Sequence, residues 1–555
     1  MTKKDYRTLA RDREQRLAAA RPLARGETKV VPPENAADLL YAVIRPGDRV
    51  NIEGDNQKQA DFLAKALAGL DPARINRLHM LQSSVALPEH IAVFERGIAE
   101  RLDFAFSGPQ AKEIARIVSE GKVKIGAIHT YLELYGRYFV DLTPRVALIA
   151  AELADSRGNL YTGYNTEETP TIVEATAFKQ GIVIAQAREI TDALPRVDIP
   201  GDQVDFVIPC GASPYIEPLF TRDPARITEM QIFTAMLAMK GIYAPYGVKC
   251  LNHGIGYGTA AIELLLPTYG ETLGLKGRAC THWVLNPHPT IIPAIEAGFV
   301  ERIHSFGSEP GMEEYIRERS DIFFNGRDGS MRSNRLLSQV AGIYASDMFI
   351  GATLQIDENG NSSTATMSRI AGFGGAPNLG SNARGRRHVS ECWLKAGAED
   401  LGSIRNAGGL VRGRKLVVQL TPTVSEKKEI PVFIEHLDAE KLHAQGRFLL
   451  PPVMLYGDEI THIVTEKGIA VLHRCPDIPV RQAAIRAVAG DTPLGRKEKK
   501  AETERLRAEK IVLCPEDLNL KPEDARHDLL AARSIADLVT ASDGLYKPPA
   551  RFVGE

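Results

Sequence analysis

Cysteine is scarce for a chain of this length. Cys210, Cys250, Cys280, Cys392, Cys475 and Cys514 are scattered over 555 residues, and no two stand at CxxC spacing. That excludes zinc sites of the finger or ribbon kind and points to a reducing, cytoplasmic setting. An excess of charge of one sign is missing too. Lys+Arg 68 against Asp+Glu 70 leaves a net charge of −2, whereas a nucleic-acid-binding domain normally carries a basic surplus. Long apolar runs are absent; stretches such as 146–151 and 260–266 are far too short to cross a bilayer. Residues 1–25 mix basic and acidic side chains around no apolar core, so no secretory signal is expected. P-loop, HExxH and GxSxG patterns are lacking, and His253, His282 and His288 are spaced too irregularly to hold a metal. What remains is 44% hydrophobic and 25% charged, a composition that excludes disorder and supports sizeable cores.

Short apolar runs alternate with amphipathic stretches. Helical spacing is predicted over 36–43, 57–70 and 110–120, and strands over 48–53, 102–106 and 146–151. Strands alternating with helices of this length imply βαβ units and a parallel sheet. The alternation resumes after Asp223-Pro224, with strands at 248–252 and 279–285 and helices at 259–266 and 290–297. Beyond about residue 430 the pattern is mixed. The run 496–510 carries both charge signs at helical spacing and reads as a solvated helix face. A D-x-x-G-N repeat occurs at 155–159 and at 357–361, each time after an apolar strand. Asp opening a turn and Gly at a positive φ suit a hairpin connection. The fold class expected is therefore α/β: an arm over 1–35, one open-sheet domain over 36–225, and a related one over 226–555 with a mixed C-terminal extension.

Two glycine-rich motifs could carry chemistry. Asn252-His253-Gly254-Ile255-Gly256-Tyr257-Gly258-Thr259 lies between a strand and a helix, where glycines let backbone N–H groups approach an anion. Its spacing departs from the dinucleotide fingerprint and no acidic residue follows at the right distance, which disfavours NAD. A purely structural tight turn is the plain alternative. The second motif, 371–380, holds four glycines in nine residues and can expose successive N–H groups, as an oxyanion site requires. Phe373, Pro377 and Leu379 distinguish it from a flexible linker. Arg384, Arg386, Arg387 and His388 follow, able to clamp a carboxylate or phosphate or simply to face solvent.

Together the Asn252 motif, the strand at 279–285 and the stretch 354–380 resemble the coenzyme A transferase superfamily. There, two related open α/β domains face each other across a thioester site. Arg45-Pro-Gly-Asp-Arg-Val and Thr461-His-Ile-Val-Thr-Glu-Lys-Gly-Ile-Ala-Val fit the same pattern. Within a chain this long, 372–380 is similar to the malonate decarboxylase α subunits, which are acyl-carrier-protein transferases. The citrate lyase α subunit is the nearest competitor. The resemblance covers roughly 30–545.

Many coenzyme A transferases place a nucleophilic glutamate just before the Gly-Ile-Gly turn. Here Asn252 matches that position, and asparagine cannot form a glutamyl thioester. The resemblance thus implies a direct reaction: acetyl-S-carrier plus malonate gives malonyl-S-carrier plus acetate through a mixed anhydride, with no glutamyl enzyme. It implies roles as well. Gly374 and Gly375 would supply oxyanion N–H donors, Asn252 would orient the acyl carbonyl or the attacking carboxylate, and His253 would add a donor or serve structure. Gly254, Gly256, Tyr257, Gly258, Gly372 and Asn378 would bind the thioester arm. One of Arg384, Arg386 and Arg387 would take malonate's second carboxylate. Glu358 is the alternative nucleophile, although the repeat makes it a turn residue matching Ser156. Implied partners are an acyl carrier subunit bringing a phosphoribosyl-dephospho-coenzyme A type arm, decarboxylase subunits, malonate and acetate; this chain itself would hold no cofactor and no metal. Competing readings are a short-chain carboxylic acid coenzyme A transferase and a non-catalytic ligand-binding scaffold on the same fold.

Overall fold

The computed structural model describes residues 6–54, 57–164, 168–305, 307–329, 336–381, 390–400, 413–425 and 430–553. The first sheet runs Lys124–Ile128, Ala99–Phe106, Leu78–Ser84, Arg49–Ile52, Val146–Ala154, Ile182–Ile190, Phe206–Pro209, all parallel. Side-chain alternation explains why Val146–Ala154 is apolar over its first six residues. Val146, Leu148 and Ala150 pack on one face with Leu63, Ile91 and Ile114, while Ala147, Ile149 and Ala151 pack on the other with Leu134, Ile172 and Val173.

The second sheet runs Arg302–His304, His282–Val284, Cys250–His253, Met348–Gly351, Leu416–Leu420, His462–Thr465 in parallel. Gly468–Val471 and Val512–Leu513 then extend it antiparallel. Its parallel part repeats the strand order of the first sheet. The D-x-x-G-N turns repeat in atomic detail. Asp155 accepts from the Arg157 and Asn159 N–H groups, and Asp357 from those of Asn359 and Asn361. Gly158 and Gly360 stand at φ 87° and 86°. Each turn closes a hairpin in the same register, Ala154 opposite Leu160 and Ile356 opposite Ser362. Asn51 and Asn252 also correspond, paired with Ala147 and Phe349 at the same place in each copy.

Several elements are shorter than predicted. The strand expected over 279–285 is His282–Val284, because Cys280 takes φ 60° and breaks the extended run. The helix expected from 57 starts at Asp61: Lys58–Gln59 pairs instead with Tyr215–Ile216, and Lys58 is buried against Glu53 at 3.1 Å. The 290–297 helix begins as a tight turn, Pro289–Ile291, before Ile292–Glu296. In the 496–510 run, Lys500–Ala508 buries only Thr503 and Leu506, the solvated face expected. One feature escapes the periodicity altogether. Ala365, Ile370, Leu442 and Phe448 join the core of the first sheet, so chain from the second half crosses over to cover the first. Among the described residues no helix is long and apolar enough to cross a membrane.

Candidate active site

The crossing segment creates the site. A cavity of about 300 Å³ lies where Cys250–His253 and Met348–Gly351 end, faced by Phe106 and Tyr131 of the first half and by 371–376. Strand ends are where parallel α/β sheets offer ligand sites. Its walls are mostly apolar, with Leu132, Leu285, Phe349, Phe373, Leu379 and Met454 among them. The carboxamides of Asn252, Asn286 and Asn378 break that surface. No Asp or Glu is among the described residues lining it.

Gly372 holds the two halves together. It stands at φ 79°, and a Cβ there would lie 2.4 Å from the Ala105 carbonyl oxygen and 2.9 Å from Phe106 Cα. On either side of it, Ser107 N–H donates to Ala371 O at 3.0 Å and Phe373 N–H to Ala105 O at 2.7 Å. This is contact of backbone on backbone, which only glycine allows. Its role is thus to bring the glycine loop to the cavity. The two expected oxyanion donors separate. Gly374 N–H is already committed to Ala105 O at 3.0 Å, so it is withdrawn from that role. Gly375 N–H donates to no acceptor among the described residues, and Gly375 heads the short helix Ala376–Leu379.

Asn252 is buried and its amide donates to Val284 O, which fixes the carboxamide at the cavity wall. Asn378 also lines the cavity, with a buried Oδ1 that has no partner among the described residues. Such an orphan acceptor suits an amide N–H of an incoming arm. His253 does not offer the donor expected of it. Nδ1 meets Glu263 Oε1 at 2.7 Å and Nε2 meets the Tyr243 hydroxyl at 2.8 Å, so both ring nitrogens are used. Burial pushes its pKa down despite Glu263, leaving the ring neutral. Burial would raise the Glu263 carboxyl, but His288 and His253 outweigh it and hold Glu263 well below the carboxylate range. His253 lines the cavity, but its ring nitrogens are turned to Glu263 and Tyr243.

The remaining arm residues divide. Gly254 lines the cavity, and a Cβ there would meet Gly351 Cα at 3.0 Å. Gly256 lines a small adjoining pocket with Arg222, Glu263 and His288. Gly258 lies behind both: its Cβ would meet Leu420 Cδ2 at 3.1 Å, so its absence of side chain packs the helix on the sheet. Tyr257 faces Arg222 and Arg226, whose guanidinium carbons stand 6.0 and 5.8 Å from its ring centroid. Arg384, Arg386 and Arg387 lie outside the described residues.

Glu358 is not a cavity residue. It sits in the repeated turn, half-buried, with Oε2 3.7 Å from Arg486. Replacing it by glutamine, Glu358→Gln, is expected to change the acyl-transfer rate by no more than about twofold, as for a surface substitution. A fall of several orders of magnitude in a steady-state transfer assay would restore it as nucleophile. Arg369 and Arg222 were missed by sequence reading. Arg369 lines the cavity from a hairpin, Ala365–Thr366 with Arg369–Ile370, and no carboxylate lies within 4 Å of it among the described residues. Nothing in its local sequence announces this, because the hairpin reaches the cavity only through the crossover onto the first sheet.

Known proteins align with this chain end to end. A family model described as malonate decarboxylase, alpha subunit, transporter matches residues 5–554. An acetyl-S-ACP:malonate ACP transferase of Malonomonas rubra is 58% identical over 545 residues, 98% of each chain. A chain in the crystal structure of a Pseudomonas malonate decarboxylase hetero-tetramer in complex with malonate superposes with TM-score 0.94 at 54% identity, covering 99% of both chains. The malonate decarboxylase alpha subunit from Acinetobacter baumannii gives TM-score 0.93 at 50% identity over 98% of this chain and 99% of that one. An acyl-CoA transferase from Escherichia coli O157:H7, at 14% identity and TM-score 0.52 over 80% of this chain and 88% of that one, shares the fold. On this evidence the chain belongs to the malonate decarboxylase α-subunit family.

Proposed function

We propose that this chain exchanges acetate for malonate on an acyl carrier thioester, converting acetyl-S-carrier and malonate to malonyl-S-carrier and acetate. The observation that carries the reading is a largely apolar cavity between two halves, lined among the described residues by carboxamides and backbone N–H groups but by no carboxylate. A malonate oxygen attacks the acetyl carbonyl and the carrier thiolate departs. That thiolate then attacks the malonyl carbonyl of the mixed anhydride, and acetate leaves. Each attack puts negative charge on a carbonyl oxygen; the Gly375 N–H, on a cavity-lining residue and without an acceptor among the described residues, supplies the donor for it. Asn252 orients the acyl group, Asn378 accepts from an arm amide, and the apolar walls exclude water that would hydrolyse the anhydride.

The arm, of phosphoribosyl-dephospho-coenzyme A type, belongs to a carrier subunit, and decarboxylase subunits consume the malonyl product. The 54% identical relative within a hetero-tetramer supports such an assembly. Incubating the chain with acetylated carrier and labelled malonate or citrate tests the substrate. Label is expected on the carrier from malonate; label from citrate, or from neither, would contradict the reading.

A further inference from the structure

Glu309, Gln57 and Asn286 form a chain of buried groups that no step above uses. All three are at most 2% exposed. Glu309 Oε1 accepts from Phe220 N–H at 3.0 Å, Thr221 N–H at 2.7 Å and the Thr221 hydroxyl at 2.8 Å. Its Oε2 accepts from Gln57 Nε2. Gln57 Oε1 in turn accepts from Asn286 Nδ2 at 3.2 Å. The direction of every amide is therefore set by the carboxylate. The last atom, Asn286 Oδ1, is buried on a cavity-lining residue and has no partner among the described residues.

An ionised Glu309 thus holds Asn286 Nδ2 against Gln57 and leaves this cavity-lining residue with its acceptor end unpaired, the wrong polarity for a site that must stabilise an oxyanion. A proton on Glu309 Oε2 reverses the order. The acid donates to Gln57 Oε1 once that amide turns over, Gln57 Nε2 donates to Asn286 Oδ1, and Asn286 Nδ2 is freed to donate to the cavity. Turning an amide over preserves its shape. We propose that Glu309, acting through Gln57, sets which end of the Asn286 carboxamide meets the substrate, and that the protonated relay presents Asn286 Nδ2 as a second oxyanion donor. Glu309 and Gln57 are positioning residues; Asn286 is the group that touches the acyl oxygen. The inference rests on the transfer reaction proposed above.

The surroundings favour such a proton. Burial raises the Glu309 carboxyl to about 7, although the Thr221 contacts and the Arg222 charge oppose it. His288 and the Tyr546 hydroxyl are the other titratable groups that sense Glu309. With a raised pKa the protonated form prevails below about 7 and is lost as pH rises through it, so the donor disappears on the alkaline side.

The test is the pH profile of kcat for the full chain with acetylated carrier and malonate, in wild type, Glu309→Gln, Gln57→Ala and Asn286→Ala. A glutamine at 309 can donate to Gln57 at every pH. Wild type is expected to lose roughly tenfold in kcat between pH 7 and 8.5. Glu309→Gln should abolish that limb, and Gln57→Ala, which uncouples the relay, should abolish it too. Asn286→Ala should lower kcat by about 10²-fold, the cost of one oxyanion donor, with little change in KM. An alkaline limb that persists in both relay variants, or an Asn286→Ala enzyme with wild-type kcat, would overturn the relay. Absence of carrier exchange in wild type at every pH would instead reject the transfer reaction itself.

Discussion

Gly375→Pro is expected to cut acyl transfer by about 10²–10³, the usual cost of losing one oxyanion donor. The substitution deletes the one N–H of the Gly374-Gly375 pair that has no acceptor among the described residues. Gly375 stands at φ −87°, near the value a pyrrolidine ring imposes, and it heads Ala376–Leu379, where a helix tolerates proline. Gly375→Ala is the control. It keeps the N–H, and its Cβ would meet only Leu379 Cδ1 at 3.3 Å and Tyr131 Cδ2 at 3.9 Å. The alanine enzyme should stay within a few fold of wild type. Equal losses in the two variants, at equal melting temperature, would remove Gly375 from the oxyanion role.

Gly372→Ala should lower transfer by about 10²-fold through geometry alone. No chemical group is lost. The new Cβ must displace the Ala105 carbonyl, 2.4 Å away, and an L-residue at φ 79° costs on the order of 1–2 kcal/mol in addition. Shifting that crossing moves Phe373, Gly374 and Gly375 together, and an ångström of misplacement is worth about 10²-fold in rate. The expected signature is a fall in kcat together with a lower melting temperature, in contrast to Gly375→Pro. Full activity would mean that the loop does not depend on its seat against Ala105.

These effects show what local sequence discloses and what it does not. Ala36–Val43 and Val146–Ala154 were legible because apolar spacing and burial on two sheet faces leave a periodic mark. The repeated turn was legible because Asp, Gly and Asn each do a separate local job in it. The glycine loop at 371–380 was legible as a stretch whose glycines let backbone approach a site, and 371–376, Asn378 and Leu379 do line the cavity. Its internal division was not, since whether Gly374 or Gly375 keeps a free N–H depends on Ala105, far off in sequence. His253 read as a possible donor because nothing nearby in sequence shows Tyr243 and Glu263 closing on both nitrogens. Asn286, Gln57 and Glu309 were invisible for the same reason. They are single polar residues in irregular segments, joined only when the two halves meet.

Direct attack by malonate on the carrier thioester is tested most directly by oxygen transfer. Acetylated carrier is mixed with excess enzyme and 18O-labelled malonate, and the acetate released in a single turnover is weighed by mass spectrometry. The bridging oxygen of the mixed anhydride leaves with acetate, so the first acetate formed should carry one 18O atom while malonyl-S-carrier accumulates. Unlabelled acetate in that first turnover, with 18O recovered on a protein carboxylate, would contradict direct attack.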